Sequence, residues 1–290
     1  MKQNKVYIVA EAGVNHNGKI KIAKKLIIAA KKAGADAIKF QNFNASELAT
    51  RNARKAPYQI KNTKNKEHQY EMLKKLELKL GDYFVLKNFC KKKNIDFLTS
   101  VFDVESLIFV EKKLKMRILK IPSGEITNFL LLDKINLKKY SIIISTGMSN
   151  TQEIKNAINR ITKKKIYNFK NHFYKMTNIK KFKNKISIMH CVTDYPVKDK
   201  YANLDCINSL KKDLGFNIGY SDHTSGILAP IIAVSKGSRI IEKHFTLDKK
   251  MRGPDHLASL NPKEFKEMVN LIRRFEVLNG KDEKKLFKCE

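Results

Sequence analysis

Short apolar runs recur along the chain, and each ends in a polar, chemically capable residue. They fall at residues 6–10, 35–40, 95–99, 117–121, 141–145, 186–190, 216–220 and 239–241. Their length and their content of Val, Ile and Phe read as buried strands. Between them lie stretches with helical apolar spacing at 20–33, 67–80, 82–93, 104–114, 128–137, 151–161, 204–214, 227–236 and 265–278. Gly34 and Gly280 stop the first and the last of these. Strand, polar tip and helix, repeated eight times, is the rhythm of a parallel sheet. Count, order and a length of 290 residues suit one α/β domain, a (β/α)8 TIM barrel over residues 1–280. An open doubly wound sheet would want GxGxxG after the first strand, and the EAGVNHNG at residues 11–18 does not supply it.

Two stretches break the rhythm. Residues 42–65 have little periodicity, and a loop of that length in a compact domain is expected to be functional. Residues 162–185 are basic, Asn-rich and aromatic, and are expected to form an inserted surface loop or irregular helix.

Composition narrows the class further. No apolar run is long enough to span a membrane, and the N-terminus lacks the apolar stretch of a secretion signal, so a cytoplasmic location is expected. Cys90, Cys191, Cys206 and Cys289 show no CxxC spacing and read as free thiols. The net charge of +31 raises the question of nucleic acid. The lysines, however, punctuate helix faces along the whole chain, and no RNP signature or zinc-finger pattern accompanies them. Most of the excess therefore reads as solvated surface, whose field would still draw in an anionic small substrate.

In a closed barrel the strand tips converge at the C-terminal mouth, where barrel active sites are built. His223 and His244 follow the seventh and eighth strands and could hold one divalent metal ion. Lys39 and Lys120, with the hydroxyls of Ser100, Ser123, Ser145 and Ser221, suit a phosphate or carboxylate. Glu11, Glu125 and Glu242 are available for acid–base work. Lysine beside carboxylate also allows Schiff-base aldolase chemistry, with Lys39, Lys120 or Lys243 as nucleophile. A barrel that only binds or scaffolds is the alternative outside enzymology.

These tips lie in longer motifs. AEAGVNHNG (10–18), KFQ (39–41), KIPSGEITN (120–128), STGM (145–148), HCVTDYP (190–196), GYSDHTSG (219–226), EKHFTLD (242–248) and GPDHLASL (253–260) resemble the sialic acid synthase family, over about residues 6–290. The resemblance implies a homodimeric TIM barrel that condenses phosphoenolpyruvate with an N-acetylmannosamine-type sugar. It also implies a divalent metal, commonly Mn2+, with Mg2+ or Co2+ as alternatives. By it, His223 and His244 are metal ligands, and Lys39, Ser100, Lys120, Ser123, Ser145, Thr193 and Ser221 hold phosphoenolpyruvate. Gln41, Phe102, Glu125, Tyr195 and Asp255 match sugar-side positions, and Glu11 and Glu242 match acidic residues beside the reacting carbons. EAGVNHNG, KAPYQ and GYSDHT lean toward the legionaminic acid branch. Two departures stand out. Thr99-Ser100-Val101-Phe102 replaces the family's Ser-Thr-Pro-Phe. The sequence also stops at Glu290, where the linker to a C-terminal antifreeze-like domain is expected to begin.

Overall fold

The computed structural model describes residues 5–167, 179–280, 286 and 289. Eight strands close into one barrel in sequence order, every neighbouring pair parallel. They are β1 (Tyr7–Gly13), β2 (Ala37–Asn42), β3 (Asp96–Val101), β4 (Ile118–Ile121), β5 (Ser141–Ser145), β6 (Ile186–Cys191), β7 (Asn217–Asp222) and β8 (Ile240–His244). The expected (β/α)8 architecture is therefore the fold of this chain.

Side chains alternate across each strand, which divides the interior from the helix layer. The lower interior is plugged by Val9, Ala37, Leu98, Ile143, Met189 and Ile240. The outward positions join a larger core with the surrounding helices. The helix Ile20–Lys32 shows why: its buried residues Ala23, Leu26, Ile27 and Ala30 form one stripe at i, i+3, i+4 and i+7. The closing helix, Pro262–Leu278, starts where the Asn261 side chain accepts from Lys263 N and Glu264 N, and the Glu264 carboxylate accepts from Asn261 N.

Several expected elements differ. Residues 42–65 are not structureless: they contain the helices Ala45–Leu48 and Pro57–Thr63. Both are too short to show periodicity, though Asn44 caps the first and Pro57 opens the second. The expected helix 67–80 ends at Leu76, because Glu77 turns extended and its carboxylate accepts from Ala45 N. Of the expected helix 128–137, Phe129–Leu132 is α-helical; beyond it the bonds from Lys134 N and Ile135 N are three-residue turns. The helix after β3, Val104–Ile108, runs on into a π turn, Phe109–Lys113. Of the expected insertion, 168–178 lie outside the described residues, while Ile179–Phe182 is a helical turn leading into β6. All four cysteines are free.

Gly219 lies in β7 close against the backbone of β8. A Cβ there would sit 2.8 Å from the Ile240 carbonyl oxygen and 2.9 Å from Ile240 Cβ. Backbone cannot yield as a flexible side chain can, so Gly219→Ala should destabilise the barrel by about 1–3 kcal/mol. A lowered urea midpoint at unchanged m-value is the expected result; an unmoved midpoint would show that the β7–β8 wall can spread at no cost.

Candidate active site

One step up the interior from the apolar plug, the inward positions become charged. Glu11 ends the regular part of β1, Lys39 lies on β2, Lys120 on β4 and Glu242 on β8, all of them buried. Lys39 Nζ lies 2.8 Å from Glu11 Oε2 and 3.6 Å from Glu242 Oε1, and donates to Ser100 Oγ at 3.0 Å. Lys120 Nζ donates to both Glu242 oxygens, each at 2.8 Å, and touches Met189 Sδ at 3.7 Å. Ser221 Oγ donates to Glu242 Oε1 at 3.2 Å, and Gln41 Nε2 to Glu11 Oε1 at 3.3 Å. Six strands thus meet in one polar network on the floor of the mouth.

The two carboxylates differ. Burial pushes Glu11 up to about 7, against the pull of Lys39. Burial also works to raise Glu242, but Lys120 and then Lys39 overcome it and hold the group at about 2. Burial lowers the Lys120 ammonium below its usual value against the attraction of Glu242. For Lys39 the burial penalty is outweighed by Glu11 and Glu242, which raise it.

A second tier stands beside and above this floor. Ser123 Oγ accepts from Gly147 N at 3.0 Å and lies 3.7 Å from Cys191 Sγ. A Cβ at Gly147 would fall 2.1 Å from Thr193 Oγ1 and 2.9 Å from Ser123 Oγ. Glycine is what lets the loops after β4, β5 and β6 close on one another. His223 Nδ1 lies 2.7 Å from the Val192 carbonyl oxygen and 3.8 Å from Cys191 Sγ. Tyr195 packs on both histidines, with ring centroids 4.1 Å from His223 and 5.5 Å from His244.

The two imidazoles are themselves 5.5 Å apart, centroid to centroid. Val192 fixes a proton on His223 Nδ1, which leaves Nε2 as the lone-pair nitrogen. Burial, then the charges of His223 and Lys39, push His244 well below its ordinary value, so its ring is neutral. His244 Nδ1 is buried with no hydrogen-bond partner among the described residues, and so is Ser145 Oγ. Burial works to lower His223, but the neighbouring Cys191 and the Val192 carbonyl outweigh it and hold the ring above its ordinary value, so it can bind a cation only once its Nε2 has lost its proton. An imidazole pair with unspent nitrogens then fits a divalent cation. Among the described residues no three of His, Cys, Asp and Glu converge as a ligand set, so such an ion would complete its shell with water or substrate oxygen.

The residues expected from the sequence separate into groups. Glu11, Lys39, Gln41, Ser100, Lys120, Ser221 and Glu242 form the floor. Ser123, Thr193, Tyr195, His223 and His244 form the tier around it, and Ser145 precedes Gly147 on the same β5 turn. Asp255 is buried on the loop after β8; burial raises its carboxyl to about 6, with His223 pulling the other way. Phe102 packs edge-on against Phe43 in a satellite cluster with Val14 and Met72. Glu125 stands apart, half-buried, accepting from Asn128 Nδ2 at 2.7 Å, with Asp103 as its charged neighbour.

One expectation is corrected. Lys243 cannot serve as a nucleophile at the mouth, because it lies between the inward residues Glu242 and His244 and therefore points into the helix layer. There it pairs with Asp222, both side chains fully buried. Three contributors were not foreseen. Met189 and Cys191 face inward, and strict alternation from Ser187 would have found them. Tyr58, from the helix Pro57–Thr63, stacks 5.0 Å from Tyr195, and Asn62 of that helix donates to the Pro254 carbonyl oxygen at 2.6 Å. Nothing in the local pattern announces that contact.

The chain is similar to known proteins along nearly its whole length. The chain is 46% identical over 286 residues to an N,N'-diacetyllegionaminic acid synthase of Campylobacter jejuni, covering 99% of this chain and 81% of that protein. A Legionella pneumophila protein of the same name is 43% identical over 279 residues, covering 96% of this chain and 74% of that protein. Among solved structures, the N-acetylneuraminic acid synthetase of Leptospira borgpetersenii, in complex with citrate, superposes with a TM-score of 0.81 at 33% identity, covering 99% of this chain and 89% of that one. The model of the NeuB family matches residues 26–284, and this chain belongs to the NeuB family.

Proposed function

We propose that this protein is a nonulosonic acid synthase, which condenses phosphoenolpyruvate with an N-acylated mannosamine-type sugar and releases phosphate. The observation that carries the reading is the mouth itself. Two buried ammonium groups and a set of hydroxyls lie beside a buried imidazole pair. That is a place for a phosphorylated carboxylate next to a place for a cation. The relatives named N,N'-diacetyllegionaminic acid synthase support a 2,4-diacetamido-2,4,6-trideoxy-mannose as the acceptor, over N-acetylmannosamine.

The residues divide the work. Lys39 and Lys120 attract the anionic groups of phosphoenolpyruvate, with Ser100, Ser123 and Ser145 orienting its oxygens. Ser145 Oγ has a donor to offer without breaking an existing bond. Glu242 stays ionised and holds Lys120 in place through both of its oxygens. Glu11, with a carboxyl near 7, is suited to take a proton from the water that adds at C2 of phosphoenolpyruvate. Carboxylates below the reacting carbons also favour the positive charge that develops at C2 as C3 forms the new bond. The tetrahedral carbon then expels phosphate. His223 and His244 would hold a divalent metal, commonly Mn2+, which when bound supplies Lewis-acid polarisation of the sugar aldehyde. Tyr195 and Tyr58 wall the sugar side and exclude water.

A Schiff-base aldolase is the second reading, favoured by the lowered ammonium of Lys120. The bidentate grip of Glu242 on that nitrogen opposes it. Phosphate release from phosphoenolpyruvate, measured with each candidate sugar and Mn2+ and followed by the product mass, separates the two. A condensed nonulosonic acid is expected; a lysine adduct trapped by borohydride would replace the first reading by the second.

Lys39→Ala and Lys120→Ala should each weaken phosphoenolpyruvate binding more than sugar binding. A charge-assisted contact is worth about 1.5–3 kcal/mol, roughly ten- to a hundredfold. Should sugar affinity fall while phosphoenolpyruvate affinity holds, the division of the mouth is reversed.

His223→Ala and His244→Ala should lose Mn2+ binding and turnover while keeping a cooperative unfolding transition, because neither ring belongs to the hydrophobic core. Near-normal activity in either variant, after EDTA treatment and return of Mn2+, would remove the metal from the mechanism.

A further inference from the structure

Behind the two histidines, on the helix side of the barrel wall, lies a fully buried ion pair that the chemistry above does not use. Lys243 Nζ sits 2.5 Å from Asp222 Oδ2, and both side chains are 0% exposed. Asp222 and Lys243 are direct partners in the β7–β8 register, one residue past the inward pair Ser221 and Glu242. The next residue on each strand is His223 on one and His244 on the other.

The bonds around this pair enclose the backbone of His223. Asp222 Oδ1 accepts from Thr224 N at 2.8 Å, an Asx-type turn spanning the histidine. Tyr220 Oη donates to the same oxygen at 3.0 Å. Lys243 Nζ donates to Asp222 and also to the Thr224 carbonyl oxygen. One ammonium group, on the residue before His244, therefore grips both flanks of His223. The carbonyl oxygens of the histidines are tied separately, His223 to Val197 N at 2.9 Å and His244 to Leu260 N at 2.8 Å.

We propose that the Asp222–Lys243 pair is a positioning clamp that sets the spacing and facing of His223 and His244 for a divalent cation. The inference rests on the metal reading given above. Its physical basis is the small number of protein donors. A metal site tolerates ligand distances only within about 0.2 Å of the ideal. With two imidazoles as the protein's share, affinity depends on how well those two rings are preset relative to each other. A role in stability alone is a poor account of the pair. Desolvating two charges costs several kcal/mol, and apolar residues of similar volume often serve as well.

The test is Mn2+ titration of the full chain, with free Mn2+ read by its EPR signal and the apo protein's Tm read alongside. The double variant Asp222→Asn/Lys243→Met removes both charges and strands neither. It should bind Mn2+ about tenfold or more weakly while unfolding cooperatively. Arg273→Met is the comparison: Arg273 pairs with Asp36 and Glu276 near the start of β1, at the opposite end of the barrel. It should lower Tm and leave Mn2+ affinity unchanged. If the double variant does not fold, Asp222→Asn alone, which keeps an acceptor for Thr224 N, is read in the same way. Mn2+ affinity within twofold of the parent in a folded variant, with His223→Ala abolishing binding, would overturn the clamp and leave the metal reading standing. A parent chain that binds no Mn2+, or a His223→Ala chain that binds it as well as the parent, would overturn both.

Discussion

Two ammonium groups and two carboxylates share the floor of the mouth, and they can be there only because they balance one another. Lys39, Lys120, Glu11 and Glu242 are almost completely shielded from water. Each charge alone would carry a desolvation cost of several kcal/mol. Together they form a chain, Glu11 to Lys39 to Glu242 to Lys120, closed by short contacts. The chain crosses the barrel between β1, β2, β4 and β8, so it can form only after the sheet closes. The apolar plug beneath it keeps water out from below and sets how far up the barrel the charges stand.

The same alternation that aims these charges inward aims their neighbours outward. On β8 the sequence Glu242, Lys243, His244 divides into floor, clamp and mouth; on β7 Ser221, Asp222, His223 divides in the same way. Adjacent residues of similar chemistry thus serve on opposite faces of one wall. Lys120 and Lys243 are both buried lysines paired with a carboxylate, yet one faces the barrel interior and the other faces helices. Residue type does not separate them; parity does.

That explains what the sequence reveals and what it withholds. The eight strands and their order were legible because buried parallel strands are apolar runs with little ambiguity. The floor and the histidine pair were legible because each follows such a run directly. Only parity along the strand separates Lys243 from the mouth and turns Met189 and Cys191 inward, and residue type carries no trace of it. The short helices of 42–65 were not legible, since four and seven residues cannot display a 3.6-residue period. Tyr58 reaches Tyr195 across 137 residues of chain, a contact that only tertiary folding creates.

The charge of the chain and the charge of its site are separate matters. The net +31 is a property of lysines spread over the surface, and it creates a field that any anion would feel. The floor of the mouth contains as many carboxylates as ammonium groups. At the physiological Debye length of about 8 Å the surface lysines speed an anion's approach more than they hold it. Retention must come from inside: from hydroxyls such as Ser145 that have bonds to give, and from Lys120, whose third N–H rests only on the weak thioether acceptor of Met189. Burial sets Glu11 apart from Glu242: raised to about 7, it can remain ionised beside Lys39 near neutrality and still accept a proton during the reaction, which the strongly held Glu242 cannot readily do.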